Sequence, residues 1–182
     1  MIAGSIAIAE VNPELASKTI KRSLDGLPHA LDEYRPDGVY PEGSTYWGYG
    51  TAFSVVTNAM LESAFGTDFG LVDYPGFKDS AYFRLLMNAP SGWYYNYADC
   101  GDKRISNPDV TLAWFASKSG DELFFERERF LNPIHSFKIQ KNTMQTAAKE
   151  IGRLRRLNGA GLVWVAQYEK QKKSELPSSW KG

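Results

Sequence analysis

Three Asn-Pro pairs constrain the fold of this chain more than any other feature of its sequence. They are Asn12-Pro13, Asn107-Pro108 and Asn132-Pro133. Asparagine favours the N-cap of an α-helix and proline favours the first helical position, so each pair indicates a helix start. Glu14 and a series of leucines at helical spacing follow the first pair, and Gly120 ends the segment that the second pair opens. The sequence therefore predicts an all-α fold built from successive helical hairpins.

The strongest single helix prediction covers Thr45 to Phe65. Aromatic and apolar side chains recur there at helical spacing, at Tyr46, Tyr49, Phe53, Val56 and Met60. Such a stripe is typical of the face that a helix buries. We therefore expect Tyr49 and Phe53 to lie mainly in the core.

Shorter helices and one extended segment complete the predicted fold. The further helices are expected around Phe77–Asn88, from Pro108, over Asp121–Leu131, within Asn142–Leu157 and within Gly161–Lys172. The run of strand-forming residues from Trp93 to Tyr97 predicts a short aromatic hairpin near 91–98. We expect one domain over residues 1–174 and a linker-like tail over residues 175–182.

Charge and composition argue against several classes of function. The 182 residues include 21 basic and 21 acidic side chains, and this zero net charge gives no support for nucleic-acid binding. One cysteine excludes an internal disulfide framework, and no stretch is suited to span a membrane. With two histidines and no recognisable metal or nucleotide motif, we expect no metal site and no cofactor. Cys100 is expected to be a small, semi-buried residue.

The first candidate site is the stretch at residues 37–50, which reads "DGVYPEGSTYWGYG". Ser44 or Thr45 is the expected N-cap, so Tyr46 falls in the first helical turn. The positive end of the helix dipole favours a phenolate there, which suits an acid or base role. Glu42 precedes the cap and could either bind free backbone N–H groups or orient a ligand hydroxyl. The alternative interpretation is that the stretch only begins a core helix.

The second candidate site is the segment "GWYYNYADCGD" at residues 92–102. Its aromatic rings alternate between two faces in an extended segment, so some must be exposed or packed against a neighbour. Asn96, Asp99 and Asp102 add polar groups. Two interpretations stay open, a hairpin that packs over the helix ends and a surface that binds a ligand.

Together these stretches resemble the heparinase II/III-like polysaccharide lyases. The resemblance rests on "PDGVYPEGSTYWGYGTAFSVVTNAMLESAFGTDFGL", "PGF" and "SGWYYNYADCGD", and it covers about Asn12 to Leu131. Its more specific core is "DGxYxEGxxYxxY". The resemblance implies that the hairpins form the last part of an N-terminal α/α-toroid domain, here an incomplete barrel. The tail "ELPSSWKG" is similar to the linker that leads from the toroid to a β-sandwich domain.

The resemblance also implies a reaction, the β-elimination of a uronic-acid-containing polysaccharide. In such lyases the uronate carboxylate is neutralised, a Tyr or His removes the C5 proton, and a Tyr protonates the leaving glycosidic oxygen. The catalytic tyrosine of the family carries over onto Tyr46. The implied partner is an acidic polysaccharide or oligosaccharide, and the residues expected to bind it are Glu42, Tyr40, Trp47, Tyr49, Trp93, Tyr95, Asn96, Tyr97 and Asp99.

Parts of the family pattern have no counterpart in this sequence. In the family an Asn/His-bearing segment precedes the motif, and a further His comes from the β-sandwich domain. We therefore expect a fragment of a lyase with little or no activity alone, in which self-association could replace the upstream helices and the β-sandwich. Lyases of this family are usually exported, which implies a periplasmic or secreted full-length protein.

Two other functions stay open. A glycoside hydrolase on the same scaffold needs two carboxylates that face one bond, which Glu42 with Asp99 or Asp102 could supply. A non-catalytic carbohydrate-binding or structural remnant would use the aromatic patches without chemistry.

Overall fold

The structure, a computed structural model, describes residues 1–89, 93–102, 110–125 and 158–178. The chain forms two compact units, one of Met1–Lys103 with Leu176–Gly182 and the other of Arg104–Glu175. Within the described ranges the regular structure is helical, and β-pairing is limited to two isolated bridges. The predicted all-α class is therefore confirmed.

The described part of the first unit contains two long helices and two short ones. They are α1 (Ile2–Ala7), α2 (Pro13–Leu31), α3 (Gly43–Phe65) and α4 (Ser80–Leu86), with a 3-10 turn at Asp32–Tyr34. The side chain of Asn12 accepts a hydrogen bond from the Leu15 N–H at 3.1 Å, so the predicted cap of α2 is confirmed. Helix α1 packs against α2 and α3, and α3 packs against α4.

Helix α3 buries a different face from the predicted one. Its buried side chains are Ser44, Trp47, Thr51, Val55, Asn58 and Leu61, which recur at helical spacing. Tyr49 and Phe53 are each 52% exposed, so the prediction that they lie in the core is wrong. The helix begins at Gly43 with Glu42 as N-cap, so the expected cap at Ser44 or Thr45 is also wrong.

Thr51, a polar residue on the buried face of α3, has a partner in the core. The hydroxyls of Tyr34 and Thr51 lie 2.8 Å apart, and each can satisfy the other without water. The Tyr34 ring packs edge-on against Phe77 at 5.1 Å between ring centroids. Burial raises the pKa of Tyr34 to about 12. Tyr34, which is not part of the sequence motif, therefore packs against the buried face of α3 and stabilises the helix.

The segment after α4 is extended and crosses back along the end of that helix. Asn88 and Tyr94 form an isolated antiparallel bridge, and the Tyr95 N–H donates to the Met87 carbonyl at 3.0 Å. The predicted hairpin near 91–98 is thus reduced to one bridge among the described residues. Residues 90–92, which precede the extended segment, lie outside the described residues.

The second unit packs α5 (Val110–Ser119) against α6 (Asn158–Gln167). Gly120, with φ 64°, follows α5 and confirms the predicted stop. A 3-10 turn at Glu122–Phe124 stands where the predicted helix over Asp121–Leu131 would begin, so that prediction is wrong for residues 121–125. The helix predicted within Gly161–Lys172 is confirmed by α6, which starts before that range, at Asn158, and ends inside it, at Gln167.

A buried carboxylate holds the extended segment of the second unit. The Asp121 side chain is fully buried, and its Oδ1 atom accepts hydrogen bonds of 3.0 Å from the N–H groups of Leu123 and Ser174. Burial alone would raise the pKa of this carboxyl, but the hydrogen bonds from Ser174 and Leu123 and the Lys172 charge lower it below its ordinary value.

Several predictions fall outside the described residues. They concern Asn107-Pro108, Asn132-Pro133, the helix within Asn142–Leu157 and the last residues of the tail. In the part of the chain that is described, no helix has the length and hydropathy needed to cross a membrane.

Candidate functional site

The two candidate patches meet at the N-terminal end of α3. The Tyr97 hydroxyl donates a hydrogen bond to the Tyr40 carbonyl oxygen at 2.5 Å, across 57 positions of sequence. The Gly43 N–H donates to the same oxygen at 3.0 Å. One carbonyl oxygen therefore joins the motif loop, the start of the helix and the second aromatic segment.

Gly43 lets the second segment approach the helix closely. Its φ is +82°, in the region that favours glycine, and a Cβ atom built on it would lie 2.6 Å from the Cys100 Cβ. Next to this contact, the Gly101 N–H donates to the Thr45 hydroxyl at 3.1 Å. Cys100 is buried, more completely than the semi-buried position expected from the sequence. The glycine of the "EG" pair is thus required by the packing of residues 97–101.

Arg84 of α4 ties the same two segments together from the other side. Its guanidinium donates to the Ser44 carbonyl oxygen at 3.3 Å and to the Tyr94 hydroxyl at 2.8 Å. It also lies over the rings of Trp47 and Tyr94, at 5.6 and 4.8 Å from their centroids. Sequence reasoning missed Arg84, because a lone arginine in a short helix belongs to no motif.

Four of the predicted site rings are accessible. The exposed fractions are 39% for Tyr46, 52% for Tyr49, 46% for Trp93 and 70% for Tyr95. The side chains of Glu42, Asn96 and Asp99 are exposed as well. These groups could meet a ligand without rearrangement of the backbone.

Three other predicted ligand-binding rings have structural positions. Trp47 is fully buried, so in this structure it cannot contact a sugar and instead packs under Arg84. Tyr40 and Tyr97 are half-buried, and they hold the motif loop against the second segment. The Tyr40 hydroxyl also lies over α3, where the absence of a side chain on Gly50 makes room for it.

The two half-buried tyrosines, Tyr40 and Tyr97, have raised pKa values. Burial raises the pKa of Tyr40, with smaller contributions from Glu42 and Glu33. Burial, followed by the influence of Cys100, raises the pKa of Tyr97. The Tyr97 hydroxyl therefore stays protonated near neutral pH and remains a hydrogen-bond donor to Tyr40.

Carboxylates are present at the site, but they do not form a metal centre. Glu42 occupies the N-cap of α3, and its side chain makes no capping hydrogen bond. Asp99 lies at the turn before Cys100. Over the described ranges, no three acidic, histidine or cysteine side chains are grouped so as to hold a metal ion.

Replacement of Tyr97 by phenylalanine tests the joint between the two segments. Loss of one half-buried hydrogen bond to Tyr40 is expected to lower the free energy of unfolding by about 1 kcal/mol. Tyr95→Phe is the matched control. The Tyr95 side chain is 70% exposed, so loss of its hydroxyl should have little effect on the free energy of unfolding. Denaturant unfolding of both variants measures the difference. Equal stabilities would show that the Tyr97 hydroxyl contributes nothing.

Comparison with known proteins gave no family assignment, because no protein-family model matches the chain and no curated protein matches it significantly.

Proposed function

We propose that this chain forms one side of the cleft of a lyase that cleaves uronic-acid-containing polysaccharide by β-elimination. Its helical hairpins would be part of an α/α-toroid. The observation that supports the proposal is the joining of the "DGxYxEGxxYxxY" loop to residues 93–101 through Tyr40 and Tyr97, which leaves Tyr46 accessible beside the joint. Two stretches that resemble one lyase family at separate places in the sequence thus form one surface.

The proposed role of Tyr46 is proton transfer. A base removes the C5 proton of the uronate, its electron pair forms the double bond of the product, and the bond to the leaving glycosidic oxygen breaks. The Tyr46 hydroxyl donates the proton that this oxygen takes up. Its position in the first turns of α3, next to an exposed Glu42, gives it access to a sugar from solvent.

Neutralisation of the uronate carboxylate needs a further group. In the resembling family that group is an Asn or His, and His29, the histidine among the described residues, is exposed in α2 outside the two joined segments. We therefore expect the isolated chain to bind acidic oligosaccharides but to show little or no elimination.

Tyr46→Phe tests this proposal. The variant is expected to bind a uronic-acid tetrasaccharide about five-fold more weakly than the unchanged chain, because one hydrogen bond to the ligand is lost. Tyr74→Phe is the matched control, since the Tyr74 hydroxyl bonds to Asp32 at 2.6 Å, outside the joined segments. Isothermal titration calorimetry measures both.

Two outcomes would contradict the proposal. Equal binding of acidic and neutral tetrasaccharides would remove the argument for a uronate substrate. Unchanged affinity in Tyr46→Phe would remove Tyr46 from the site. A rise in ultraviolet absorbance with the isolated chain would show unsaturated uronate and would overturn the expectation of inactivity.

A second candidate is a carbohydrate-binding protein without catalysis. The exposed rings of Tyr49, Trp93 and Tyr95 favour it, because stacking on sugars needs no acid or base. This function predicts binding of neutral oligosaccharides and no dependence on the Tyr46 hydroxyl. A hydrolase that used Glu42 with Asp99 or Asp102 would instead release saturated reducing ends from a neutral substrate.

A further inference from the structure

Arg84 contacts the residues on both sides of Tyr46 along α3. Its guanidinium donates a hydrogen bond to the Ser44 carbonyl oxygen at 3.3 Å and lies 5.6 Å from the ring centroid of Trp47. Ser44 and Trp47 are fully buried, whereas Tyr46, which lies between them in the sequence, is 39% exposed. One side chain therefore holds the helical turn that carries Tyr46, and it does so from the buried side of that turn.

The same guanidinium reaches the second aromatic segment through Tyr94. It donates to the Tyr94 hydroxyl at 2.8 Å and lies 4.8 Å from the centroid of that ring. Tyr94 is buried, and its N–H donates to the Asp102 carbonyl oxygen at 2.9 Å, so the ring has a fixed place. The next residue, Tyr95, is 70% exposed. Arg84 thus connects the turn of Tyr46 with a segment whose neighbouring ring is open to solvent.

These contacts need an arginine rather than any cation. A guanidinium is planar and its N–H groups diverge, so it can donate to oxygens of two segments while it lies over aromatic rings. A lysine ammonium places its three donors at one point and has no flat face. The backbone of Arg84 is itself held, because Ala81 and Phe83 of α4 are buried and α4 packs against α3. The guanidinium therefore extends from a fixed helix.

We propose that Arg84 is a positioning residue for Tyr46. It acts through the first turn of α3, which it holds in the orientation that lets Tyr46 and the exposed ring of Tyr95 meet the same ligand. The proposal rests on the proposed function, because it takes Tyr46 as the proton donor of the lyase. It adds a residue outside both candidate stretches of the sequence, and the contact geometry is what indicates it.

Arg84→Lys tests the proposal by ligand binding. Calorimetric titration with a uronic-acid tetrasaccharide is expected to show about five-fold weaker binding, because the Tyr46 hydroxyl no longer meets the ligand. In a chain that already carries Tyr46→Phe, the same substitution should have no further effect, since two residues that act together are not additive. Arg35→Lys is the matched control, because Arg35 lies over the Tyr74 ring at 5.5 Å and pairs with Asp32, outside the joined segments.

The position of the Tyr46 ring is also measured without ligand, by nuclear magnetic resonance on the chain with isotope-labelled tyrosine. The Tyr46 ring resonances are assigned from their loss in Tyr46→Phe. They are expected to shift in Arg84→Lys and to stay unchanged in Arg35→Lys. Tyr94→Phe is a second, milder variant, because it removes only the hydroxyl that accepts from Arg84 and should shift the same resonances by less. This variant keeps the proposal testable if Arg84→Lys does not fold.

The outcomes separate this proposal from the proposed function. Unchanged Tyr46 resonances in both Arg84→Lys and Tyr94→Phe, or equal shifts in Arg35→Lys, overturn the positioning role. A loss of affinity in Arg84→Lys that is the same with and without the Tyr46 hydroxyl also overturns it, because that loss is a general effect on the fold. Shifted resonances in a chain whose binding does not depend on Tyr46 support the positioning role and overturn the lyase. Binding that depends on Tyr46 and is unchanged in Arg84→Lys supports the lyase and overturns the positioning role.

Discussion

Replacement of Gly43 by alanine is expected to destabilise the first unit by about 3 kcal/mol. Two costs combine, because a left-handed conformation costs a residue with a Cβ about 1–2 kcal/mol and an overpacked contact costs about 1–3 kcal/mol. The φ of Gly43 is +82°, and the new Cβ would lie 2.6 Å from the Cys100 Cβ and 3.3 Å from the Tyr97 carbonyl oxygen. Neither group is the end of a long, flexible side chain, so backbone must move.

Two glycines of the same helix region separate these costs. Gly66 has φ +73° and nothing within 4 Å of its built Cβ, so Gly66→Ala should carry the conformational cost alone, about 1 kcal/mol. Gly48 lies within α3 with no such φ and no close neighbour, so Gly48→Ala should stabilise by up to about 1 kcal/mol. Denaturant unfolding of the three variants measures the order. A Gly43→Ala effect no larger than that of Gly66→Ala would contradict the close packing of residues 97–101.

Removal of the Asp121 carboxylate is expected to destabilise the second unit by a similar amount. Asp121→Ala leaves the N–H groups of Leu123 and Ser174 without their acceptor, and buried hydrogen bonds to a charged group are worth about 1.5–3 kcal/mol each. Asp121→Asn keeps an oxygen acceptor and loses the charge, so its effect should be smaller. The measurements are thermal unfolding and hydrogen exchange of the Leu123 and Ser174 amides.

The same carboxylate makes the second unit sensitive to acid. The pKa of Asp121 is lowered in the folded state, so its contribution is fully present above the ordinary carboxyl pKa of about 4. The contribution is lost as the pH falls through the lower, folded-state value. Exchange of the Ser174 amide should therefore accelerate below about pH 4 relative to its intrinsic rate, and Asp121→Asn should abolish this acid dependence. Glu122→Gln is the control, because Glu122 pairs with Lys170 at the surface.

Most of the helix ends that are predicted correctly depend on a capping or terminating residue at the helix end itself. Asn12 caps α2 through its own side chain, and Gly66 and Gly120 end their helices with positive φ values. These features depend on neighbouring residues, so the sequence contains them directly. The exact end of α6 at Gln167 has no such local signal, and the residues after it are held from far away in the sequence, since Lys172 forms a bridge with Asp121.

The sequence predicts the wrong buried face for α3, and the reason is a contact between residues far apart in the sequence. The helical pattern assigns aromatic residues to the core, but the structure buries Thr51 and Asn58 and exposes Phe53. Burial of Thr51 is acceptable because the Tyr34 hydroxyl satisfies it, and that contact spans 17 positions of sequence. The hydrogen bond between Tyr97 and Tyr40 has no local sequence signal either, although the sequence indicates each residue as a site candidate.

Substitutions on the two faces of α3 are expected to have different effects. Substitutions at Trp47, Thr51 or Val55 act on the folded state, since these side chains are enclosed by protein. Substitutions at Tyr49 or Phe53, each 52% exposed, change the solvent-facing side of the helix and should leave the core side unchanged. The register of a substitution along α3 therefore tells whether it acts on the core of the first unit or on its surface.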